Sequence, residues 1–345
     1  IVEAAELLWQ LLLQDVERKE DGAALKQGVT RDRILSVHDP EMRHGHKSSS
    51  TRFDGHKAAV AVDTDSQLIT AVDMLPGNAR DSVGALELVK QSERNTRMEV
   101  GEAIGDAAYG DGVTRQAFAD ASRTLIAKVP GRPEKDHFPK EDFKIDLEAG
   151  TCTCPAGQTT RRMHTVTTSI DRLGQAYPVQ GFHFHGATCR QCQLRAACVA
   201  ARNGRGRTIT LHPQEALLQQ ARVFQQSEAF FEYRWHRQVS EHRLARLVQL
   251  GIRQARYFGR VKTLFQVLLA AAVANLTLVA TKPWMMGKGN GRAASFSAAL
   301  CHRACKTLPG PCDSSHAALD NPSVVSVVKR QAIFPKSQLS AGFLG

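Results

Sequence analysis

The sequence lacks the features that would direct a chain into or across a membrane. Its apolar opening, residues 1–16, contains Glu3 and Glu6 and no basic n-region, so it predicts an amphipathic helix rather than a signal peptide. The most apolar run, residues 263–280, contains Gln266 and Asn275, which favours a buried core helix over a membrane span. We therefore expect a cytoplasmic protein without a membrane partner.

The sequence is also short of negative charge. It has 34 Asp and Glu residues against 45 Lys and Arg residues, which gives a formal net charge of +11 and a pI near 9.4. This balance favours a polyanionic partner, with nucleic acid as the first choice, although a merely soluble basic protein could have the same composition. An initiator methionine is absent and the first residue is Ile1, from which we expect an N-terminally truncated chain.

Cysteine is concentrated in one part of the chain, where five of the eight cysteines lie between residues 152 and 198. Without an export signal, this spacing favours a zinc knuckle over disulfides. The four ligands of a closed structural Zn²⁺ site would be Cys154, Cys189, Cys192 and Cys198. Cys152 is then spare or replaces Cys154, and His183 or His185 could substitute as ligands. A scatter of buried thiols is the alternative.

The order of patterns along the chain predicts a mixed α/β protein with an insertion. Two alternating runs, residues 56–63 and 67–75, form a hairpin, and a helix, a strand, a helix and a short strand follow. We expect an amphipathic helix and polar connector (1–52), the first part of an α/β core (53–130), a cysteine-bearing β-rich insertion (131–212), a helical part of the core (213–281) and a disordered tail (282–345). Within this helical part, a single helix is expected from about 214 to 249.

The stretch EVGEAIGDAAYGDG, residues 99–112, places an acid where a buried strand ends. A carboxylate there costs desolvation free energy unless a hydrogen bond or a cation compensates it. Asp106 is therefore either a helix cap or a metal-binding acid.

A second candidate acid lies on a late helix. Tyr233, Arg237 and Glu241 are spaced four residues apart and so share one helical face. Glu241 is either a metal ligand or the partner of Arg237 in a solvated ion pair. Downstream, a basic face that suits a phosphate backbone, or an ordinary solvated surface, is formed by Arg253, Arg256, Arg260 and Lys262.

These stretches together resemble bacterial insertion-sequence transposases of the DDE class, in the group whose ribonuclease H-like core carries its final glutamate on a late helix. The resemblance covers about residues 1 to 280 and is carried by DPEMRHGHKSSSTRFDGHKAAVAVD, IGDAAYGDG, HFPKEDFKIDLEAGTCTCPAG, CRQCQLRAAC and YRWHRQVSEHRLARLVQLGIRQARYFG. It implies an α/β fold with a ribonuclease H-like mixed sheet, flanking helices and a small zinc-binding β-rich insertion. It also implies Mg²⁺ or Mn²⁺ at the active site and, as partners, double-stranded DNA with terminal inverted repeats and a second copy in a homodimer.

The resemblance assigns roles residue by residue. Asp106 matches the second acid and Glu241 the third, and both would bind Mg²⁺. Tyr233 and Arg237 match the motif expected near DNA phosphate, although three residues separate them here and the family has two. Val248 stands where the family has a basic residue.

The first acid of the triad has no match. The family places it on a core strand ahead of the helix that occupies residues 1–16 here, and Asp63 is better explained as a turn residue. We therefore expect two of three acids and no strand transfer by this chain alone. A non-catalytic DNA-binding remnant is the alternative, and a zinc-stabilised nuclease would share the same acids.

Overall fold

The computed structural model describes residues 1–28, 32–46, 50–131, 137–170, 176–200 and 204–281, and the backbone of 323–335. The helices are α1 Val2–Asp15, α2 Ala85–Thr96, α3 Gly112–Asp120, α4 Gly186–Arg190, α5 Glu215–Gln225, α6 Glu228–Gln249 and α7 Arg260–Thr281. The strands are β1 Val16–Lys19, β2 Gly22–Leu25, β3 Arg43–His46, β4 Arg52–Asp63, β5 Ile69–Pro76, β6 Val100–Ile104, β7 Thr124–Ile126, β8 Lys144–Asp146, β9 Thr151–Thr153, β10 Thr159–Thr160, β11 Met163–Ile170, β12 Ala176–His183, β13 Thr208–Thr210, β14 Gln254–Ala255 and β15 Ser323–Pro335.

The main sheet is mixed and is built around β4. The predicted hairpin is confirmed, because β4 pairs antiparallel with β5 in a register that joins Val60 to Val72. The order across the sheet is β5, β4, β15, β6, β7, and β3 pairs antiparallel with the first residues of β4. β15 runs antiparallel to β4 and parallel to β6, and β7 runs parallel to β6. The predicted mixed α/β class is therefore confirmed.

The strand β15 lies within the tail that the sequence predicts to be mostly disordered, and it corrects that prediction for residues 323–335. The segment Ser323–Pro335 lies in the middle of the sheet, where Val325 pairs with Asp63 on one side and with Ala103 on the other. Its β-branched run favours a strand, and two open strand edges supply the hydrogen-bonding partners that it needs. The rest of the predicted tail, with Cys301, Cys305 and Cys312, is outside the described residues.

Helices cover both faces of the main sheet because the side chains of β4 alternate. Ala58, Val60 and Val62 face a cluster that contains residues of α6 and α7, while Ala59 and Ala61 face a cluster that contains residues of α2 and α3. Each face buries apolar surface, so the sheet forms the middle layer of three.

The helical part of the core contains one more break than the sequence predicts. The single helix expected over 214–249 is two helices, α5 and α6, and Ser227 caps the second by accepting a hydrogen bond from the Phe230 N–H at 3.4 Å. The core-helix prediction for residues 263–280 is confirmed for one face of α7, where Val267, Ala271 and Ala274 are buried. In the described part of the chain, α7 is the one helix long and apolar enough to cross a membrane, by length and composition alone.

The insertion consists of two small antiparallel sheets, β10-β9-β8 and β11-β12-β13. They share an apolar cluster of Phe143, Cys152, Phe182, Phe184 and Ile209. The insertion is tied to α5 through Glu215, a buried carboxylate that accepts hydrogen bonds from Lys140 at 2.6 Å and from the His212 N–H at 3.1 Å. This charged hub fixes where the insertion sits relative to the core.

Candidate active site

The first candidate acid, Asp106, begins a tight turn directly after β6. The Gly105 N–H donates to the Ile126 carbonyl at 2.9 Å, and this bond holds the end of β6 against the end of β7. Asp106 then caps a short 3-10 turn, Ala107–Tyr109, by accepting a hydrogen bond from the Ala108 N–H at 2.9 Å. The geometry therefore has the cap that the sequence allowed, and the half-exposed carboxylate is still accessible to solvent.

The turn that carries Asp106 is held by close backbone packing. A Cβ atom on Gly105 would lie 3.0 Å from the Tyr109 side chain, and one on Gly110 would lie 1.8 Å from the Lys128 carbonyl oxygen. Buried Arg115 adds hydrogen bonds to three carbonyls, those of Gly110 at 3.1 Å, Leu125 at 3.2 Å and Ala127 at 2.5 Å. Sequence reasoning missed Arg115, whose sequence signal is only its position in the first turns of the helix that follows Asp106.

Helix α6 packs on one face of β6, the strand that ends two residues before Asp106. Ile104 lies in a cluster with Phe230, while Ala103 faces the opposite cluster, as does the Tyr109 side chain that lies beside Gly105. Glu102 and Ile104 therefore face α6. The start of α6 thus packs against the strand that leads to Asp106.

A hydrogen bond from Tyr233 to Glu102 fixes the approach of α6 to β6. The phenol donates to Glu102 Oε2 at 3.0 Å. Burial raises the pKa of Tyr233 to about 12, and the hydrogen bond to Glu102 and the charges of Glu102 and Glu232 act in the same direction. The sequence expectation placed Tyr233 near DNA phosphate, whereas in the structure its hydroxyl is bonded to Glu102, which sequence reasoning did not identify.

The second candidate acid, Glu241, lies two turns further along α6. It is eight residues after Tyr233, which corresponds to about 12 Å along a helix axis. Its side chain is 54% exposed and pairs with Arg237 at 3.5 Å, so the ion pair expected from the four-residue spacing is present. In the described residues, no hydrogen bond or salt bridge is found between Asp106 and Glu241.

The arrangement of the His, Cys, Asp and Glu side chains decides whether the chain has a preformed metal site. Within the described part of the chain, no group of three or more His, Cys, Asp or Glu side chains is arranged to hold a metal ion. The donor chemistry of Asp106 and Glu241 fits a hard divalent cation, because both are carboxylates that reach solvent. Two carboxylates are nevertheless fewer than a two-metal site requires.

The basic residues after α6 differ in whether an acidic side chain pairs with them. Arg253, Arg256 and Lys262 are exposed and have no described acidic partner. Arg260 pairs with Glu41 at 3.2 Å, so part of its charge is neutralised within the chain.

Four cysteine side chains lie in the lining of one pocket of the insertion. Cys154, Cys189, Cys192 and Cys198 all line it, together with Pro155. Burial raises the pKa of Cys198, Arg207 lowers it, and the other three thiols raise it. Cys154, Cys189 and Cys198 also pack against the same apolar cluster of the insertion. Cys152 is fully buried in the aromatic cluster instead, and burial raises its pKa to about 11. The candidate ligand is therefore Cys154 and not Cys152.

Comparison with known families gives one finding. Residues 153–280 match a family model described as a transposase DDE domain. This confirms the resemblance to DDE-type transposases for a segment that contains the four pocket cysteines, α6 with Glu241, and most of α7, whereas Asp106 lies outside it. No curated protein and no solved structure was found to match the chain.

Proposed function

Since residues 153–280 belong to the transposase DDE domain family, we propose that the chain is the transposase of a bacterial insertion sequence, acting in the cytoplasm as a homodimer on DNA. It would cut and join double-stranded DNA at terminal inverted repeats on a ribonuclease H-like core. The observation that carries this proposal is the packing of α6 on β6, the strand that leads to Asp106, fixed by the Tyr233 to Glu102 hydrogen bond.

Asp106 and Glu241 are the residues that would hold Mg²⁺ or Mn²⁺. When bound, such ions stabilise the attacking and leaving oxygens of a phosphodiester. The other residues of the site hold the two carboxylates in position. The bonds made by Arg115 and the close packing of Gly110 fix the Asp106 turn, and the Tyr233 bond fixes the helix that carries Glu241.

A third carboxylate is needed beside these two for strand transfer. β15, the strand that lies next to β6, has the sequence SVVSVVKRQAIFP and contains no acidic residue. We therefore propose that the chain alone hydrolyses DNA slowly and does not join it. The alternative is a non-catalytic DNA-binding remnant. The lack of a third carboxylate on β15 favours this alternative as well.

Phosphate contacts are assigned to Arg237, Arg253, Arg256, Arg260 and Lys262. Three of them, Arg253, Arg256 and Lys262, are exposed cations around the start of α7 without a described acidic partner. Tyr233 is the weakest of the proposed DNA contacts, because its hydroxyl already donates to Glu102.

Nicking of a supercoiled plasmid in Mg²⁺ or Mn²⁺ tests the enzyme proposal. We expect slow nicking by the unmodified chain and its loss in both Asp106→Asn and Glu241→Gln, with plasmid binding retained. Nicking that is unchanged in both variants would contradict the proposal. DNA binding without any nicking by the unmodified chain would support the remnant.

We also propose that the pocket cysteines bind one structural Zn²⁺, which would draw together four thiols that line one pocket but are not arranged as a metal site in the described structure. Four thiolates without an open position close a tetrahedral site and stabilise the fold around it. Elemental analysis of the purified protein should find about one zinc per chain, falling below half an equivalent in Cys189→Ser. Cys152→Ser is the matched control and should keep its zinc, because Cys152 lies in the aromatic cluster. Less than half an equivalent in the unmodified protein would contradict the proposal.

A further inference from the structure

The positive charge of the chain is concentrated in residues 150–212, which make up most of the insertion. Residues 150–212 contain eight arginines, no lysine and one acidic residue, Asp171, which is a balance of +7 out of the total of +11. Clustered charge of one sign raises the free energy of the folded chain by self-repulsion. A concentration of this kind indicates an anionic partner.

Four of these arginines are exposed and have no described acidic partner: Arg161, Arg162, Arg190 and Arg205. Arg207 differs from them, because it donates to the Phe138 carbonyl at 3.0 Å and lies over the Phe143 ring at 5.7 Å. Arg195 is half-buried in the lining of the cysteine pocket. Among the described arginines of this segment, two are therefore engaged in the packing of the insertion and four have exposed guanidinium groups.

Glycine contacts bring two of the exposed arginines together. A Cβ atom on Gly186 would lie 2.4 Å from the Gly204 carbonyl oxygen, so the start of α4 packs directly on the chain before β13. A guanidinium nitrogen of Arg190 lies 3.6 Å from the Cβ position of Gly204, the neighbour of Arg205 in the chain. Arg190 and Arg205 thus form one basic pair.

The other pair, Arg161 and Arg162, lies at the base of the β11–β12 hairpin. The His183 N–H donates to the Arg162 carbonyl at 2.8 Å, and only His183 to His185 separate this point from the start of α4. The two pairs therefore lie at opposite ends of a short connecting stretch. Together they form what we call the arginine surface: Arg161, Arg162, Arg190 and Arg205.

The groups around this stretch are basic as well. The His164 and His183 rings pack edge to face with their centroids 5.3 Å apart. Burial lowers the pKa of His183, and His164, Arg162 and His185 lower it further, whereas no acid raises it. The titratable groups that act on the pKa of His183 are therefore all basic.

We propose that the arginine surface binds the phosphodiester backbone of duplex DNA, as a contact region separate from the basic residues at the start of α7. The choice of DNA as the ligand of this surface rests on the proposed function. Guanidinium groups suit phosphate because their planar donors can bind two oxygens at once. Contacts of this kind to the DNA backbone do not require sequence specificity.

Salt dependence of DNA binding tests the inference in the full zinc-loaded chain. Binding of a short fluorescent duplex is measured by anisotropy at a series of salt concentrations for Arg161→Gln/Arg162→Gln and Arg190→Gln/Arg205→Gln. Each phosphate contact contributes about 0.9 to the slope of log K against log salt, so each double variant should flatten the slope by about 1.8. The control Arg18→Gln/Arg94→Gln removes two exposed arginines outside the insertion and should leave the slope unchanged.

The outcomes separate the inference from the proposed function. If the unmodified chain does not bind DNA, the proposed function fails. If it binds and only Arg253→Gln/Arg256→Gln flattens the slope, the arginine surface is not a DNA contact and the inference alone is overturned. Preferential loss of duplex RNA binding in the insertion variants, with DNA binding intact, would also overturn it. Circular dichroism and zinc content must match the unmodified protein for each variant to count.

Discussion

Tyr233 donates a hydrogen bond to Glu102 across 3.0 Å, and this bond joins the helix of one candidate acid to the strand that leads to the other. The two residues are 131 positions apart in the chain, with the whole insertion between them. The bond therefore orients α6 on the sheet independently of the metal ions proposed for the site.

The first prediction concerns this bond. Tyr233→Phe should lower the free energy of unfolding by about 1 to 2 kcal/mol, because a half-buried carboxylate loses its donor while the ring packing remains. Urea denaturation measures the change. Tyr257→Phe is the control, since no described hydrogen bond involves that exposed hydroxyl. Equal stability of Tyr233→Phe and the unmodified chain would show that the bond does not hold α6.

The second prediction concerns the turn that carries Asp106. Gly110→Ala should destabilise the protein by about 2 kcal/mol or more, because the new methyl group meets a backbone carbonyl at 1.8 Å and the turn has to move. It should also abolish the proposed nicking. Gly131→Ala meets no atom within 4 Å and should behave like the unmodified protein. A fully active Gly110→Ala variant would disprove the claim that this turn positions the acid.

The third prediction concerns pH and the Glu215 hub. Burial raises the pKa of Glu215, but the hydrogen bond and charge of Lys140, the His212 N–H and the charge of Arg222 lower it more, so the net pKa is below the ordinary value of 4.5. A carboxyl group with a lowered folded-state pKa adds stability above its ordinary pKa, and this is lost as the pH falls through the folded value.

Glu215→Gln should therefore lower the free energy of unfolding by about 3 kcal/mol at neutral pH, since the buried carboxylate loses its charge and its charged hydrogen bonds with the half-buried Lys140 and Arg222 are weakened. The loss of stability below pH 4.5 should be less steep than in the unmodified protein. Glu87→Gln breaks an exposed pair with Arg94 and is the control, with an expected cost below about 0.5 kcal/mol. Thermal unfolding across this pH range measures both, and parallel curves for Glu215→Gln and the unmodified chain would refute the role of the hub.

The fourth prediction concerns β15. Val325→Pro should destabilise the protein by about 3 kcal/mol or more, because proline removes a ladder donor from a strand that is paired on both sides. Ser340→Pro, beyond the strand, is the control. If both variants unfold at the same denaturant concentration as the unmodified chain, Ser323–Pro335 contributes nothing to the sheet.

Local patterns in the sequence predicted the elements whose partners are close in the chain. The β4–β5 hairpin followed from two alternating runs around a turn at Asp63, and the pair of Arg237 with Glu241 followed from helical spacing. The position of β15 could not be predicted in this way, because its partners, β4 and β6, are more than 200 residues away in the chain. Nothing in a tail rich in Gly and Ser indicates which sheet edge is open.

The candidate site was predicted less completely than the fold. Asp106 and Glu241 were recognisable from their positions at a strand end and on a helix, whereas the groups that hold them were not. Glu102 looks like any charged residue of a strand, and its role depends on α6 packing over it. The choice of Cys154 over Cys152 likewise depends on which thiol the aromatic cluster buries.

The central claim is that Asp106 and Glu241 bind the same divalent ions beside DNA, and iron-directed backbone cleavage tests it most directly. Fe²⁺ is added in place of Mg²⁺ to the full chain bound to DNA, and ascorbate with peroxide then generates radicals that cut the chain near the iron. The account predicts cuts near both Asp106 and Glu241, suppressed together by excess Mg²⁺ and by Asp106→Asn. Cuts near only one of these residues, or cuts unaffected by Asp106→Asn, would contradict it.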